Sequence, residues 1–301
     1  MSPKTKLSQT LEAGRMALTA ECLAPLARGA SEIEALAAKL PSSLDAVVVA
    51  DSPHGAGGSP LACASLLAAR KIEPVLSMVT RDRNRIALNA DLFGACAMGV
   101  TALLCLSGEH QALGSCPQAA GAYDMDSIQL TSALRTLAQT GVDLTGQSVQ
   151  DPPAFFVGAA AHPYLRPLEL NLLRLRKKVR AGARFLITQA VFDLAGFEEW
   201  MAAVRQAGID KQAPILASVL PLGSVEEAQR MQASPTYGPV GQDVIDRLKG
   251  ASDVAAEGVA IAVEAARKLK AIPGVSGIHI LCGGREAAAA TIIREAGLAS
   301  A

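Results

Sequence analysis

The chain has 301 residues, and its 28 lysines and arginines are balanced by 28 aspartates and glutamates. Half of the residues are hydrophobic but only 3% are aromatic, so we expect a core of aliphatic side chains and alanine. This composition excludes intrinsic disorder, and the lack of a basic run with interleaved aromatics argues against a nucleic-acid partner.

The sequence shows no pattern of a membrane span or a secretory signal. Glu12 and Arg15 interrupt the amino-terminal segment, where a signal peptide would have an apolar core. The uncharged run at 92–108 is shorter than the roughly 20 residues that a spanning helix needs. We therefore expect a soluble, cytoplasmic protein with a small-molecule ligand.

The cysteines and histidines show no metal-binding pattern. The six cysteines form no C-x-x-C pair and have no histidine at zinc-finger spacing, so we predict no metal site. Cys22, Cys96 and Cys105 fall in apolar stretches, and we expect buried free thiols there. We assign no catalytic histidine, and we expect His279 to be a packing residue.

Short aliphatic runs alternate with longer stretches of helical period, and the alternation repeats eight times. The runs are nearly continuous in apolar character, which is typical of parallel strands covered on both faces. The predicted strands are residues 16–24, 45–51, 73–80, 101–108, 154–162, 184–192, 213–222 and 275–283. The predicted helices include residues 31–40, 82–99, 124–141, 168–183, 197–208 and 285–298.

Eight βα units predict an α/β fold, a closed (β/α)₈ TIM barrel that forms a single domain over residues 1–301. The segment at 225–272 carries two or three further helical patterns, so we expect extra helices before the eighth strand. A doubly wound open sheet is the alternative. It is disfavoured because GAGG at 55–58 follows a strand without completing the G-x-G-x-x-G fingerprint.

Polar residues stand where the predicted strands end, and barrel enzymes build their sites at these carboxyl ends. Acidic, amide and basic groups would therefore converge on one mouth of the barrel. The residues are Glu21, Asp51, Thr80, Arg81, Asp82, Ser107, Glu109, His162, Thr188, Gln189 and Arg285.

Glu21 is the most informative of these residues, because it lies inside an apolar strand. Burial disfavours the charged carboxylate and raises its pKa, which a general acid needs near neutral pH. A structural glutamate paired with a barrel arginine is an equally weighted alternative. Glu109 follows a Ser-Gly pair that lets the backbone approach a ligand, although an ordinary loop acid is the simpler interpretation.

A basic cluster lies in the helix predicted after the fifth strand. Helical spacing predicts that Arg174, Lys177 and Lys178 share one side, where they could anchor a phosphate-bearing cofactor at the rim of the barrel. A solvated helix face is the common alternative for such a run.

Seven segments share an order along the chain: TAECLAP at 19–25, TRDRNRIALNADLFGACAMGV at 80–100, AYDMDSIQL at 122–130, GAAAHP at 158–163, LLRLRKKVRAGARFLITQAVFD at 172–193, LPL at 220–222 and HILCGGREAA at 279–288. Together they resemble the methylenetetrahydrofolate reductase family of flavin-dependent barrels over nearly the whole chain. The resemblance implies reduction of 5,10-methylenetetrahydrofolate to 5-methyltetrahydrofolate, or the reverse oxidation.

The resemblance also implies roles for matching positions. Glu21 would protonate N10 of the folate and open its five-membered ring, after which reduced flavin passes a hydride to the exocyclic methylene. Glu109 would bind the pterin and tune the flavin, while Gln189 and Arg285 would contact folate. The positions implied to hold the flavin, FAD or FMN, are Thr80, Ser107, Gly108, Glu109, Tyr123, Asp124, His162, Arg166, Lys177 and Lys178.

The chain departs from the family's pattern at four positions. Glu109 stands where the family has aspartate, and His162 stands where a tyrosine is usual. Val75 replaces a histidine that can face the flavin. Val225 replaces a phenylalanine with which some members sandwich folate or nicotinamide.

The resemblance leaves the electron donor open between NAD(P)H and a partner subunit. TRDRN at 80–84 is similar to a branch whose members work in larger complexes and receive electrons from a partner. We also expect an oligomer. Two other functions remain as alternatives: a flavin-free barrel that binds folate for methyl transfer, and a non-catalytic folate-binding or scaffold subunit.

Overall fold

The computed structural model describes residues 3–26, 29–51, 57–234 and 237–298. Eight parallel strands close into a barrel in chain order, and β8 pairs with β1. The strands are β1 (Ala17–Leu23), β2 (Ala46–Ala50), β3 (Pro74–Val79), β4 (Ala102–Leu106), β5 (Phe156–Ala161), β6 (Phe185–Ala190), β7 (Ile215–Val219) and β8 (Val275–Ile280). The predicted barrel is confirmed, and the open sheet is wrong; residues 55 and 56 of GAGG lie outside the described residues.

The helices pack around the barrel, most of them on its outside. They are α1 (Lys6–Glu12), α2 (Ala30–Ala37), α3 (Pro60–Ala69), α4 (Arg85–Ala97), α5 (Ser127–Thr140), α6 (Leu168–Ala181), α7 (Leu194–Gln206), α8 (Val225–Ala233), α9 (Gln242–Gly250), α10 (Val254–Leu269) and α11 (Ala288–Glu295). The extra helices expected before the eighth strand are α8, α9 and α10. Within the described ranges, no helix is long and apolar enough to cross a membrane.

Helix α1 closes the amino end of the barrel and was not predicted. Its start is specified locally, because Thr5 and Ser8 exchange the two hydrogen bonds of a capping box. Leu7 of α1 is fully buried and packs into the inner cluster of side chains inside the barrel. That cluster also holds Phe156 and Phe185, whose rings stack with centroids 5.0 Å apart. The floor of the barrel is therefore a packed apolar core.

Three cysteines were expected to be buried because they fall in apolar stretches of the sequence. Cys22 and Cys105 are buried free thiols, as predicted, but Cys96 is exposed. The inward stripe of α4 runs through Leu88, Leu92 and Ala95. Cys96 lies one position past this stripe and is rotated by about 100° from it, so the expectation for Cys96 is wrong.

Gly258 allows α10 to approach the segment after β7. A Cβ at Gly258 would lie 1.8 Å from the carbonyl oxygen of Leu222, and a backbone atom cannot move aside cheaply. We expect Gly258→Ala to destabilise the protein by about 3 kcal/mol, measured by urea unfolding. Gly250 in α9 has no atom within 4 Å of the equivalent Cβ position. Gly250→Ala is therefore the matched control, and equal stability of the two variants would contradict this packing.

Candidate active site

Side chains on alternate strand positions point into the barrel, and these inward positions become polar toward the mouth. On β1 they are Ala17, Thr19 and Glu21, because Ala17 belongs to the inner cluster and side chains alternate along a strand. On β6, Phe185 and Ile187 belong to the inner cluster, so the same alternation places Gln189 inward. Glu21 and Gln189 are partly exposed, so both face the mouth.

Glu21 lies above a buried, neutral layer of the barrel. Thr19 Oγ1 and His279 Nδ1 are 2.9 Å apart, and burial lowers the pKa of His279 to about 3. His279 is therefore a neutral packing residue, as predicted. Burial, and then the charge of Glu286, raises the pKa of Glu21 to about 7. Glu21 thus has the acidity that proton donation near neutral pH requires.

The segment after β4 is held against the end of β3. Gly108 has a φ of +81°, and a Cβ there would lie 2.5 Å from Cγ1 of Val79, so the position requires glycine. Arg81 Nη1 donates to the Glu109 carbonyl oxygen at 3.1 Å, and the Tyr123 hydroxyl donates to the same oxygen at 3.2 Å. The structure therefore brings the predicted positions 108, 109 and 123 together.

Ser107 and Thr80 end the two neighbouring strands. The Ser127 backbone N–H donates to Ser107 Oγ at 3.1 Å, which joins β4 to the start of α5. Thr80 is fully buried, and its hydroxyl has no hydrogen-bond partner among the described residues. A buried hydroxyl without a partner is costly, so Thr80 is well suited to bind a polar atom of a ligand.

A cavity of about 260 Å³ opens beside these strands. Its four charged residues are balanced in pairs: Arg81 binds Asp82 at 2.7 Å, and Arg83 binds Asp51 at 2.6 Å. The cavity is lined by Asp51, Arg81, Asp82, Arg83, Gln111, Cys116 and Ala119. Because the positive charges are already paired, this side of the mouth is a poor site for a phosphate.

A basic cluster, formed by His162, Arg174 and Lys178, lies where β5 meets α6. Lys178 is buried, and its Nζ donates to the Ala160 carbonyl oxygen at 2.6 Å. Burial and the charge of Arg174 lower the pKa of Lys178 to about 8. Burial and the charges of Lys178 and Arg174 lower the pKa of His162 to about 4, although a hydrogen bond with Gln189 acts in the opposite direction. An anion would relieve the repulsion in this cluster.

Arg285 lies beyond β8 and is tied to α8. Its Nη2 donates to Glu227 Oε1 at 2.9 Å, while the Gly223 N–H donates to the other oxygen of Glu227 at 2.6 Å. The Nε of Arg285 is buried and has no partner within the described part of the chain. Glu227 therefore fixes Arg285 between the ends of β7 and β8, and the buried Nε–H is left for a ligand.

Three residues that were predicted to hold the flavin lie toward the outer surface of the barrel. Asp124 accepts a hydrogen bond from Arg85 Nη2 at 2.9 Å, and Arg85 lowers the pKa of Asp124 to about 2. Arg166 is exposed and pairs with a glutamate of α7 at 3.3 Å. Lys177 lies on the exposed side of α6, whereas Lys178 is buried. The expectation that these two lysines share a side is wrong, because consecutive helix positions differ by about 100°.

Two further residues at the mouth were not predicted. Glu286 is only 5% exposed and directly follows Arg285, and that neighbour was the available signal. Tyr237, between α8 and α9, packs in the same apolar cluster as Val225. Burial, and then the charge of Glu109, raise the pKa of Tyr237. Both residues lie beyond the strand ends, where the sequence offers no periodic pattern.

Val75 does not lie at the mouth. It is buried in the inner cluster together with Leu7 of α1, near the amino end of β3. The departure from the family's pattern at this position therefore concerns the floor of the barrel, and a side chain there does not reach a ligand at the mouth.

Comparisons with known proteins agree on one family. The family model described as methylenetetrahydrofolate reductase matches residues 6–297. A probable methylenetetrahydrofolate reductase (NADPH) of Caenorhabditis elegans is 24% identical over 78% of this chain and 34% of its own length. The 5,10-methylenetetrahydrofolate reductase of Escherichia coli is 26% identical over 39% of this chain and 35% of its own length. The chain thus spans about a third of the length of these relatives.

A comparison with solved structures supports the fold. A tryptophan synthase structure from M. tuberculosis superposes with a TM-score of 0.51 and 12% identity, over 98% of this chain and 99% of that chain. At this identity the likeness concerns the barrel alone. The family model, which covers almost the whole chain, shows that the chain belongs to the methylenetetrahydrofolate reductase family.

Proposed function

We propose that this chain catalyses the reduction of 5,10-methylenetetrahydrofolate to 5-methyltetrahydrofolate with a bound flavin. The observation that carries the proposal is Glu21, an inward-facing acid at the barrel mouth whose pKa is raised to about 7 by burial and by the charge of Glu286. Membership of the family supports the same reaction. Within the described residues no cation pairs with Glu21, which disfavours a purely structural role.

The residues at the mouth fit a flavin, and we propose FAD. The basic cluster suits a diphosphate, because burial and the charge of Arg174 lower the pKa of Lys178 and a bound anion would favour its charged form. The buried hydroxyl of Thr80 has no hydrogen-bond partner among the described residues and could bind a polar atom of the flavin. A bound flavin would supply the hydride that reduces the folate.

The chain's own residues would bind the folate and move one proton. Glu21 donates its proton to N10, which opens the five-membered ring. Glu109 accepts hydrogen bonds from the amino edge of the pterin, and the Gln189 amide orients the ring. Arg285 keeps a buried Nε–H without a protein partner within the described ranges, so it can contact the folate while Glu227 holds it.

The test is anaerobic reduction of the purified flavoprotein. We expect methyltetrahydrofolate to bleach the visible flavin absorption, since the reaction is reversible at the flavin. Bleaching by NADH or NADPH would identify a nucleotide as the electron donor, and bleaching by neither would point to a protein donor. A colourless protein that takes up neither FAD nor FMN contradicts the proposal and favours flavin-free methyl transfer. Folate binding without any oxidation favours a scaffold.

The pH dependence of folate reduction follows from Glu21. A general acid acts in its protonated form, and Glu21 loses its proton as the pH rises through its pKa of about 7. We therefore expect a level rate at low pH and a fall of about tenfold per unit well above this pKa. The measurement is the single-turnover rate with reduced flavin between pH 5.5 and about 9. A rate that rises across this range would rule out Glu21 as the acid.

A further inference from the structure

Arg81 is a buried arginine at the end of β3 that the proposed reaction does not use. Its side chain is 5% exposed, and its Nε and Nη2 donate to the two carboxylate oxygens of Asp82 at 2.8 and 2.7 Å. This bidentate pair fixes the plane of the guanidinium. The third nitrogen, Nη1, donates to the Glu109 carbonyl oxygen at 3.1 Å. Arg81 thus joins the end of β3 to the segment that follows β4.

Gly108 brings these two segments close enough for the bond to form. A Cβ at Gly108 would lie 3.0 Å from the Cβ of Arg81, which is tighter than ordinary packing. The Thr80 N–H also donates to the Leu106 carbonyl oxygen at 3.0 Å, so the main chains that end β3 and β4 are still paired just before this point. The path of the backbone therefore presents the Glu109 carbonyl to Arg81.

Tyr123 supplies a second donor to the same oxygen. Its hydroxyl donates to the Glu109 carbonyl oxygen at 3.2 Å, although 43% of the residue is exposed. Its φ of +42° is rare for a residue with a large side chain and persists only where neighbouring contacts hold it. One such contact is the hydrogen bond from the Ala122 N–H to the Arg81 carbonyl oxygen at 2.7 Å. Arg81 therefore holds the Tyr123 segment as well.

Both bonds act on the main chain of Glu109 and not on its carboxyl group. A carbonyl oxygen has two lone pairs, so it can accept from both donors at once. The peptide that follows Glu109 is thereby fixed, while the half-buried side chain stays available to a ligand. A carboxylate on a fixed peptide loses less conformational freedom on binding than one on a free loop, and it binds more tightly for that reason.

We propose that Arg81 and the hydroxyl of Tyr123 are positioning groups that hold the Glu109 peptide and so orient its carboxylate toward the amino edge of the pterin. The hydroxyl of Tyr123 then serves Glu109 and not the flavin. The consequence for folate binding rests on the proposed function, whereas the hold on the Glu109 carbonyl does not.

The first test observes the Glu109 carbonyl directly in the purified flavoprotein. Glu109 and His110 form the one Glu-His pair of the sequence, so carbonyl-¹³C glutamate and ¹⁵N-histidine labels give a single NMR correlation for their peptide. A carbonyl ¹³C resonance moves downfield when the oxygen accepts a hydrogen bond. We expect this resonance to move upfield in Tyr123→Phe, which removes only the hydroxyl, and in Arg81→Lys, which keeps the charge but loses the planar fork.

The second test measures the folate by anaerobic bleaching of the flavin. We expect Tyr123→Phe to raise the methyltetrahydrofolate concentration for the half-maximal rate by about threefold to tenfold, as for the loss of one hydrogen bond, with little change in the rate at saturation. The FAD dissociation constant should stay the same. In a Glu109→Ala background, Tyr123→Phe should have no further effect, because the group that it positions is absent.

Tyr164→Phe is the matched control. The Tyr164 hydroxyl also donates to a backbone carbonyl oxygen, that of Asp193, at 2.8 Å, but from the segment between β5 and α6. We expect this change to move neither the Glu109 resonance nor the methyltetrahydrofolate concentration for the half-maximal rate.

Three outcomes overturn the proposal. The first is an unmoved Glu109 resonance in folded Tyr123→Phe, and the second is an equal loss of folate affinity from Tyr123→Phe with and without the Glu109 side chain. The third is weaker FAD binding in Tyr123→Phe with an unchanged folate response, which would assign the hydroxyl to the flavin. A resonance that moves in a protein that never oxidises methyltetrahydrofolate would instead contradict the proposed function and leave the hold on Glu109 intact.

Discussion

Glu21→Gln is expected to slow folate reduction by about a hundredfold to ten-thousandfold while flavin binding is retained. Glutamine keeps the size and polarity of the side chain but has no proton of suitable acidity to give to N10. The measurement is the anaerobic single-turnover rate with reduced flavin, together with the flavin absorption spectrum. The loss should be greatest at low pH, where the wild-type residue is fully protonated.

Glu73 provides a matched control for this change. It is also a partly buried glutamate whose pKa is raised by burial, but it lies before β3 at the amino end of the barrel. There its carboxylate accepts the backbone N–H of Leu7 at 3.1 Å. Glu73→Gln should therefore leave folate reduction intact. Equal rates in Glu21→Gln and the wild type would end the assignment of Glu21 as the acid.

The fold could be predicted from the sequence because every βα unit carries its own local signal. Buried parallel strands appear as apolar runs, and eight βα units in one chain are the number that a closed barrel needs. Helix α1 was not predicted, because it is short and its signal in the sequence is a capping box at Thr5 rather than a periodic apolar face. Cys96 was misplaced because apolar neighbours do not identify the face of a helix.

The site was predictable only where a residue stands at a strand end. Glu21 and Gln189 could be found in this way, since strand alternation fixes their direction. The bond between Arg285 and Glu227 joins residues 58 positions apart, so it depends on closure of the barrel and on the added helix α8. The charge of Glu286 adds to the burial that raises the pKa of Glu21, and no local pattern in the sequence links these two distant residues.

The aromatic residue that the sequence lacks at position 225 is a related case. Val225 lies in an apolar cluster that also contains Tyr237 and Phe192. Gly238 holds this loop close to the barrel, because a Cβ there would lie 2.6 Å from the Ala190 carbonyl oxygen. Thus the ring of Tyr237 lies near the mouth although position 225 holds a valine. A comparison of the sequence with the family's pattern at position 225 alone cannot reveal this ring.

Lys178→Met is expected to weaken FAD binding by about tenfold to a hundredfold, the loss of one charge-assisted hydrogen bond to a phosphate. Methionine preserves the buried apolar stem but removes the ammonium that faces Arg174 and His162. The measurement is the FAD dissociation constant by fluorescence titration. Thermal unfolding should accompany it, because Lys178 also donates to the Ala160 carbonyl oxygen.

Lys177→Met distinguishes the two adjacent lysines that the sequence could not separate. Lys177 lies on the exposed side of α6, so its removal should leave the FAD dissociation constant nearly unchanged. If Lys177→Met weakens FAD and Lys178→Met does not, the diphosphate lies on the outer face of α6 and the basic cluster has another role.

The pH dependence of FAD binding provides a second readout for Lys178. Its pKa of about 8 means that the free protein loses this positive charge as the pH rises through that value. A bound diphosphate favours the charged form, so FAD binding should take up a proton and weaken above about pH 8. Lys178→Met should remove this dependence, since no group with that pKa remains at the diphosphate. A variant that binds more weakly but keeps the same pH dependence would show that the packing of Lys178 matters and its charge does not.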